Sequence, residues 1–207
     1  MLQAPPRKDT RERLLEAAEA AVLAKGFAAT SIDELIAAVG ITKSGFFYHF
    51  KDKADLAKAM MLRYLEQDKA LLDSLFDRAD ELNEDPLHGF LVGLKMFAEM
   101  MANLPANYPG CLAASFAYQD TLFNREVCAL NAEGMLAWRR RFRERFERIA
   151  ERYPPRIPAD LDTLADTAYT LAEGGLILNR VLKDPTILPR QILQFRDFVR
   201  LLFAPAG

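Results

Sequence analysis

Residues 25–56 read KGFAATSIDELIAAVGITKSGFFYHFKDKADL. Gly26 follows an apolar-periodic run and suits a helix C-terminal cap. Ser31 and Glu34 stand three residues apart, the spacing of a capping box in which each side chain satisfies an otherwise free backbone N–H. Ile32, Leu35, Ile36 and Val39 then recur at helical spacing and mark one apolar face. Gly40 supplies the left-handed backbone that a tight turn requires. Thr42 can cap a further short helix, which opens with the small, polar and basic residues Lys43, Ser44 and Gly45 and continues into Phe46, Phe47 and Phe50. The stretch therefore predicts two short helices joined at Gly40.

The same periodicity extends in both directions. On the N-terminal side, Leu15, Ala18 and Val22 share a face of a helix from about Lys8 to Lys25. On the C-terminal side, a long helix from about Asp52 carries Leu56, Met60, Tyr64, Leu71, Leu75 and Leu82, and Asn83 to Pro86 break it. Helices follow over about 87–103, 111–122, 124–153, 159–183 and 189–203, with a loop from Leu104 to Gly110 and a break at Pro154 and Pro155. Pro189 suits a first helical turn. β-branched runs bounded by turns are missing. The expected fold is all-α with about nine helices.

The composition sets outer bounds. The chain has 207 residues, 51% hydrophobic and 27% charged, with a formal net charge of -2. That is a globular composition, not a disordered one. No apolar run approaches the roughly 18 residues of a membrane span. Glu12, Glu16 and Glu19 interrupt the N-terminal apolar stretch, which argues against a signal peptide and makes the cytoplasm the expected compartment. Cys111 and Cys128 cannot build a disulfide framework. There is no Gly-rich phosphate loop, nucleophile elbow or H-E-x-x-H, so no enzyme is expected. His49 and His88 lack partners at metal-ligand spacing, so neither metal nor cofactor is expected.

A helix that begins with small residues and donors, close behind a tight turn, suits a DNA major groove. The small residues permit close approach, and the donors reach phosphates and base edges. Lys51, Lys53 and Lys58 continue the positive charge just past that helix. The segment is similar to the N-terminal DNA-binding domain of the tetracycline-repressor (TetR) family. The matching elements are Gly26-Phe27, Thr30-Ser31-Ile32, Gly40-Ile41-Thr42-Lys43, the aromatic run Phe46 to Phe50, and Lys53 with Leu56. The resemblance covers about residues 8–58; beyond it, only length and helix count agree. It implies a three-helix helix-turn-helix domain over residues 1–53 and a larger helical ligand-binding and dimerisation domain over 54–207.

Carried over by position, the resemblance implies that Thr30 and Ser31 open the second helix near phosphate and that Thr42 begins the recognition helix. Lys43, Ser44 and Gly45 would face the groove. Tyr48 would reach a base or phosphate, and His49 and Lys53 would hold backbone phosphates. Phe47 stands where the family usually has a tyrosine. It can touch a thymine methyl but donates no hydrogen bond, and Tyr48 is the candidate to compensate.

In the remainder, Phe90, Phe97, Met100, Met101 and Trp138 are candidates for an apolar ligand pocket, with Cys111, Ser115, Tyr118 and Gln119 beside them. The same residues suit ordinary core. Cys111 has two readings: a small buried residue, or a thiol made reactive at a helix start. The arginines of residues 139–152 are expected on a solvated face. Tyr169, Gly174, Gly175, Leu178, Val181, Phe195, Phe198, Val199 and Leu202 are candidates for a dimer interface, against an intrachain core. The expected function is a homodimeric one-component regulator, most readily a repressor, that binds double-stranded DNA at a palindromic operator and is released by a small molecule. The alternatives are a thiol-based sensor on the same scaffold using Cys111, and a helical enzyme or interaction module that merely retains the DNA-binding fold.

Overall fold

The computed structural model describes residues 9–105 and 108–204. The expected helix start at Lys8, and residues 106–107 of the expected loop, lie outside the described residues. Among those described there are nine α-helices and no strand: α1 (Thr10–Lys25), α2 (Ile32–Val39), α3 (Lys43–His49), α4 (Lys53–Leu82), α5 (Pro86–Ala102), α6 (Leu112–Ala117), α7 (Arg125–Arg152), α8 (Leu161–Leu182) and α9 (Ile187–Phe203). A 3-10 turn covers Asp120–Leu122, so the helix expected to reach Leu122 stops at Ala117.

Local chemistry explains many of these boundaries. The Gly26 N–H donates to the Val22 carbonyl at φ 87° and ends α1. Asp85 caps α5, accepting from the Leu87 and His88 N–H groups at 3.1 and 2.9 Å, with Pro86 in the first turn where no N–H is needed. Asp160 caps α8 through the Thr163 N–H at 2.7 Å. The α9 helix starts two residues before Pro189, which sits in its first turn as expected.

Contacts divide the chain into two units. The first takes the described residues through Leu65 together with Cys111–Ala132; the second takes Glu66–Gly110 and the described residues from Glu133 onward. The first unit thus reaches past residue 53 and draws in a segment from the middle of the chain. Its core joins Leu14, Leu15, Ala18 and Val22 of α1 to Leu35, Phe46 and Phe50, and then to Leu56, Met60 and Met61 of α4. Leu112, Phe116 and Val127 complete it. Each fully buried phenylalanine contributes about 1.5–3 kcal/mol of transfer free energy.

In the second unit α5 and α8 pack on α9. Aromatic rings fill the core: Phe76 and Phe90 stack at 5.7 Å, and Phe142 meets both edge-on. Phe146 stacks on Phe203 at 6.2 Å. The buried face of α4 here is Leu72, Leu75, Phe76 and Ala79, whereas Leu71 and Leu82 of the expected stripe are exposed. Steps of seven residues drift about 20° around a straight helix, so a stripe continued at that spacing from Tyr64 to Leu71 and from Leu75 to Leu82 leaves the core face.

The arginines of α7 are mostly paired at the surface: Arg139 with Asp166 through two bonds, Arg141 with Asp73, and Arg143 with Glu147 and Asp162. Arg145 departs from the expected solvated face. It is 8% exposed, lies 4.5 Å over the Phe76 ring and bonds Asp80 at 3.0 Å. No helix among the described residues is long and apolar enough to cross a membrane.

Candidate nucleic-acid interface

Two caps hold the helix-turn-helix. Ser31 Oγ accepts from the Glu34 N–H at 3.2 Å, and Thr42 Oγ1 accepts from the Gly45 N–H at 3.1 Å. Between them Gly40 adopts φ 70°, ψ 44°, and its N–H bonds the last carbonyls of α2. The Glu34 carboxylate also takes the Lys25 ammonium at 2.6 Å. That hydrogen bond first, and the Ser31 backbone with it, holds the Glu34 carboxyl below its usual range.

Phe46 and Phe50 anchor α3, at 0% and 2% exposure, with rings 5.7 Å apart. With its base fixed, α3 presents Thr42, Lys43 and Ser44 to solvent, and Tyr48 at 84% exposure. Gly45 and His49 are partly buried, and Ser31 is exposed at the start of α2. Phe47 is half-exposed and meets Phe46 edge-on at 5.4 Å. The exposed set is short, polar and donor-bearing, and Lys43 and Lys51 bring exposed positive charge.

Three expectations need correcting. Thr30 is 2% exposed, and its hydroxyl donates inward to the Gly26 carbonyl at 3.0 Å, closing the turn before α2. Lys53 is partly buried: its Nζ lies 4.3 Å from the Phe27 ring centroid and donates to the Phe27 carbonyl at 2.5 Å. Burial also pulls the Lys53 ammonium below its usual pKa. Lys58, expected to extend the basic surface, pairs with Glu126 at 2.5 Å. One cation was missed. Arg11, at the start of α1, lies 5.4 Å over the Phe50 ring and is exposed beside the end of α3; no local pattern around Arg11 announces that contact.

The candidate pocket residues divide between the two units. Phe90, Phe97, Met100, Met101 and Trp138 belong to the second, and Cys111, Ser115, Tyr118 and Gln119 to the first. Phe90 and Phe97 are buried in the aromatic core, whereas Tyr118 is 80% exposed. Gln119 has a structural partner, the Phe27 N–H, at 3.1 Å. Cys111 caps α6 by accepting from the Ala114 N–H, and its Sγ lies 3.0 Å from the Tyr64 hydroxyl. Trp138 donates to Asp68 at 2.6 Å, a partner that the sequence reading missed. Among the described residues no cluster of His, Cys, Asp and Glu could hold a metal ion.

The α8 and α9 candidates also separate. Gly174, Leu178, Val181 and Phe198 lie on a face where Ile177, Leu182, Leu193 and Leu201 are also exposed. Phe195, Val199 and Leu202 turn inward at 4%, 0% and 3% exposure, and Gly175 is buried where a Cβ would meet Leu188 Cδ1 at 2.7 Å. Tyr169 packs edge-on against Trp138 at 5.5 Å. Phe195, Val199, Leu202 and Gly175 belong to the chain's own core, because both faces of these helices are apolar in sequence and only packing selects between them.

Residues 14–60 match the N-terminal domain of the tetR family of bacterial regulatory proteins. The chain is 33% identical over 75 residues to the HTH-type transcriptional regulator TtgR of Pseudomonas putida, a match covering 36% of this chain and 30% of TtgR. It therefore spans less than a third of the length of that relative. A longer match reaches the transcriptional regulator AcuR of Cereibacter sphaeroides, 23% identical over 177 residues, covering 84% of this chain and 78% of AcuR. Among solved structures, a TetR transcriptional regulator from Chloroflexus aurantiacus superimposes with a TM-score of 0.75 at 25% identity, covering 92% of this chain and 93% of that one. The match falls on the residues that build α1 to α3 and the start of α4, so over residues 14–60 this chain is similar to the tetR family of bacterial regulatory proteins.

Proposed function

We propose that the chain is a homodimeric one-component repressor that binds a palindromic operator and releases it when a small molecule binds its second unit. The observation that carries DNA reading is the exposed rim Thr42-Lys43-Ser44 with Tyr48, held on a helix whose opposite side is buried through Phe46 and Phe50. Small donors on a fixed helix can enter a major groove and reach base edges. Tyr48 supplies the hydroxyl that Phe47 lacks. Ser31 and Lys51 are exposed near α3 and would meet backbone phosphates, on a reader whose core extends past residue 53 into the rest of the first unit.

Pairing follows from the exposed apolar face of α8 and α9. Val181, Leu182 and Leu201 are 69%, 62% and 62% exposed, and Ile177, Leu178 and Phe198 widen the patch. A second copy would cover it and set two recognition helices about 34–36 Å apart, the spacing of successive major grooves. A ligand shifts the balance between DNA-bound and released spacings only by its differential affinity for them.

The test is selection of bound duplexes from a random pool. A palindromic product is the expected result, and recovery of no enriched sequence would sink the proposal. Lys43→Ala should weaken binding to all duplexes and make the salt dependence shallower, the slope falling by about one for each phosphate that is no longer neutralised. A thiol-sensing reading has one observation behind it: Cys111 Sγ accepts from the Ala114 N–H at the start of α6 and lies 3.0 Å from the Tyr64 hydroxyl. Cys111→Ser separates the two readings, since it leaves release by a non-covalent ligand intact and abolishes release by an electrophile.

A further inference from the structure

Trp138 is the only tryptophan in the chain. Its indole N–H donates to Asp68 Oδ2 at 2.6 Å across 70 residues of sequence. Asp68 is partly buried on α4. The guanidinium whose charge acts on it, Arg141, is bound to Asp73 at 2.5 Å. Among the described residues Asp68 forms no ion pair, and its hydrogen-bond partner is a neutral donor. Burial pushes its carboxyl above the usual range, partly offset by the indole and by the Arg141 charge.

The surroundings are aromatic and apolar. Trp138 stacks on Phe142 at 5.3 Å, with Tyr169 edge-on at 5.5 Å and Phe97 at 6.4 Å. Met100 and Met101 are only partly buried against the same core. A partly desolvated carboxylate with no direct ion-pair partner is costly. A cation placed beside it gains the charge, and aromatic faces add attraction for the same sign. An anion would be repelled, and a neutral molecule would gain neither term.

We propose that Asp68 and Trp138 form the recognition point for a lipophilic organic cation, with the positive charge at the Asp68 carboxylate and the apolar body against Trp138, Phe97 and the Met100–Met101 pair. This names the effector class for the second unit and rests on the reading of that unit as ligand-binding.

The experiment uses the full chain and three probes of similar shape: tetraphenylphosphonium (cationic), tetraphenylborate (anionic) and triphenylphosphine oxide (neutral). Trp138 fluorescence reports binding, and release of the selected operator reports function. The phosphonium is expected to bind at least about tenfold more tightly than the neutral probe, the scale of a hydrogen bond or contact to a charged group, and to release DNA. Asp68→Asn keeps an acceptor for the indole and should abolish that preference while leaving the neutral probe's affinity unchanged. Should Asp68→Asn not fold, the ranking of the three probes on the parent chain still decides. Equal binding of cation and neutral probe, or tighter binding of the borate, overturns the inference and leaves the ligand-release reading standing if DNA is still released. If no probe quenches Trp138 or releases DNA, the inference is overturned. If a broader compound set also fails to release DNA, the ligand-release reading falls with it.

Discussion

Replacing Gln119 by alanine should loosen the turn that leads into the helix-turn-helix. Gln119 Oε1 accepts from the Phe27 N–H at 3.1 Å, and its amide lies over Gly26, where an added Cβ would meet Nε2 at 3.1 Å. Phe27 is 6% exposed and its ring packs against Phe123 at 4.6 Å and Phe116 at 6.0 Å. Alanine would leave the Phe27 N–H without its acceptor. A buried donor left unsatisfied costs about 1–3 kcal/mol. Gln119 is itself only partly buried, so water can enter, and the lower part of that range, about 1–2 kcal/mol, is expected. Two measurements read it. Urea unfolding of Gln119→Ala should show that loss of stability, and amide exchange at Phe27 should accelerate about five- to thirtyfold if it proceeds through this opening. Gln119→Glu, which keeps an acceptor, should recover much of the protection. Unchanged Phe27 exchange together with a stability change below about 0.5 kcal/mol would refute the claim that this side chain holds the turn.

The other expectations are more local. Thr42→Ala removes the acceptor for the Gly45 N–H at the start of α3 and should cost about 1 kcal/mol in urea unfolding; a neutral result would mean that water replaces the cap. Gly93→Ala would put a Cβ 2.5 Å from two atoms of the Phe76 ring, which is fully buried between Phe90 and Arg145, so overpacking of about 1–3 kcal/mol should appear as a lower thermal midpoint. At Asp85, burial acts to raise the carboxyl pKa, but hydrogen bonds from the His88 backbone, the Tyr153 hydroxyl and the His88 ring outweigh it and hold the carboxyl far below 3.8. A depressed native pKa gives stability that is full above the unfolded value near 4 and is lost as pH falls below it. Asp85→Asn should therefore be less stable than the parent at neutral pH, with a flatter loss between about pH 4 and 2; parallel acid limbs for the two proteins would contradict this.

The helix-turn-helix was legible because its determinants are close in sequence. The Ser31 and Thr42 caps each reach three residues ahead, and Gly40 needs only its own backbone geometry. Elsewhere the deciding partners are distant. Gln119 and Phe27 are 92 residues apart, and Asp68 and Trp138 are 70 apart. Hydrophobic periodicity also could not tell which apolar face of α8 and α9 turns inward. Phe195 and Phe198 differ by three positions and by 4% against 43% exposure, while their rings stack at 6.4 Å. Thr30 and Ser31 show the same limit at finer scale. Adjacent hydroxyls at a helix start look alike in sequence, but one closes the turn and the other faces solvent.

Charge shows why side-chain position matters more than totals. Residues 1–63 hold ten Lys and Arg against eight Asp and Glu, and the rest of the chain is acidic. Even that small excess overstates the cations available to phosphates. Lys25 pairs with Glu34, Lys58 with Glu126, and Arg63 with Glu12 and Glu19, while Lys53 is turned to the Phe27 carbonyl. Among the described residues, Lys43, Lys51 and Arg11 remain exposed at α3 and its flanks. Counter-ion release scales with the number of phosphates neutralised, so a reader with few exposed cations holds non-specific DNA weakly. Under the proposed function, discrimination then has to come from base-edge donors on α3 and from the fixed distance between two copies. The exposed apolar face of α8 and α9 would be as necessary to sequence reading as the recognition helix itself.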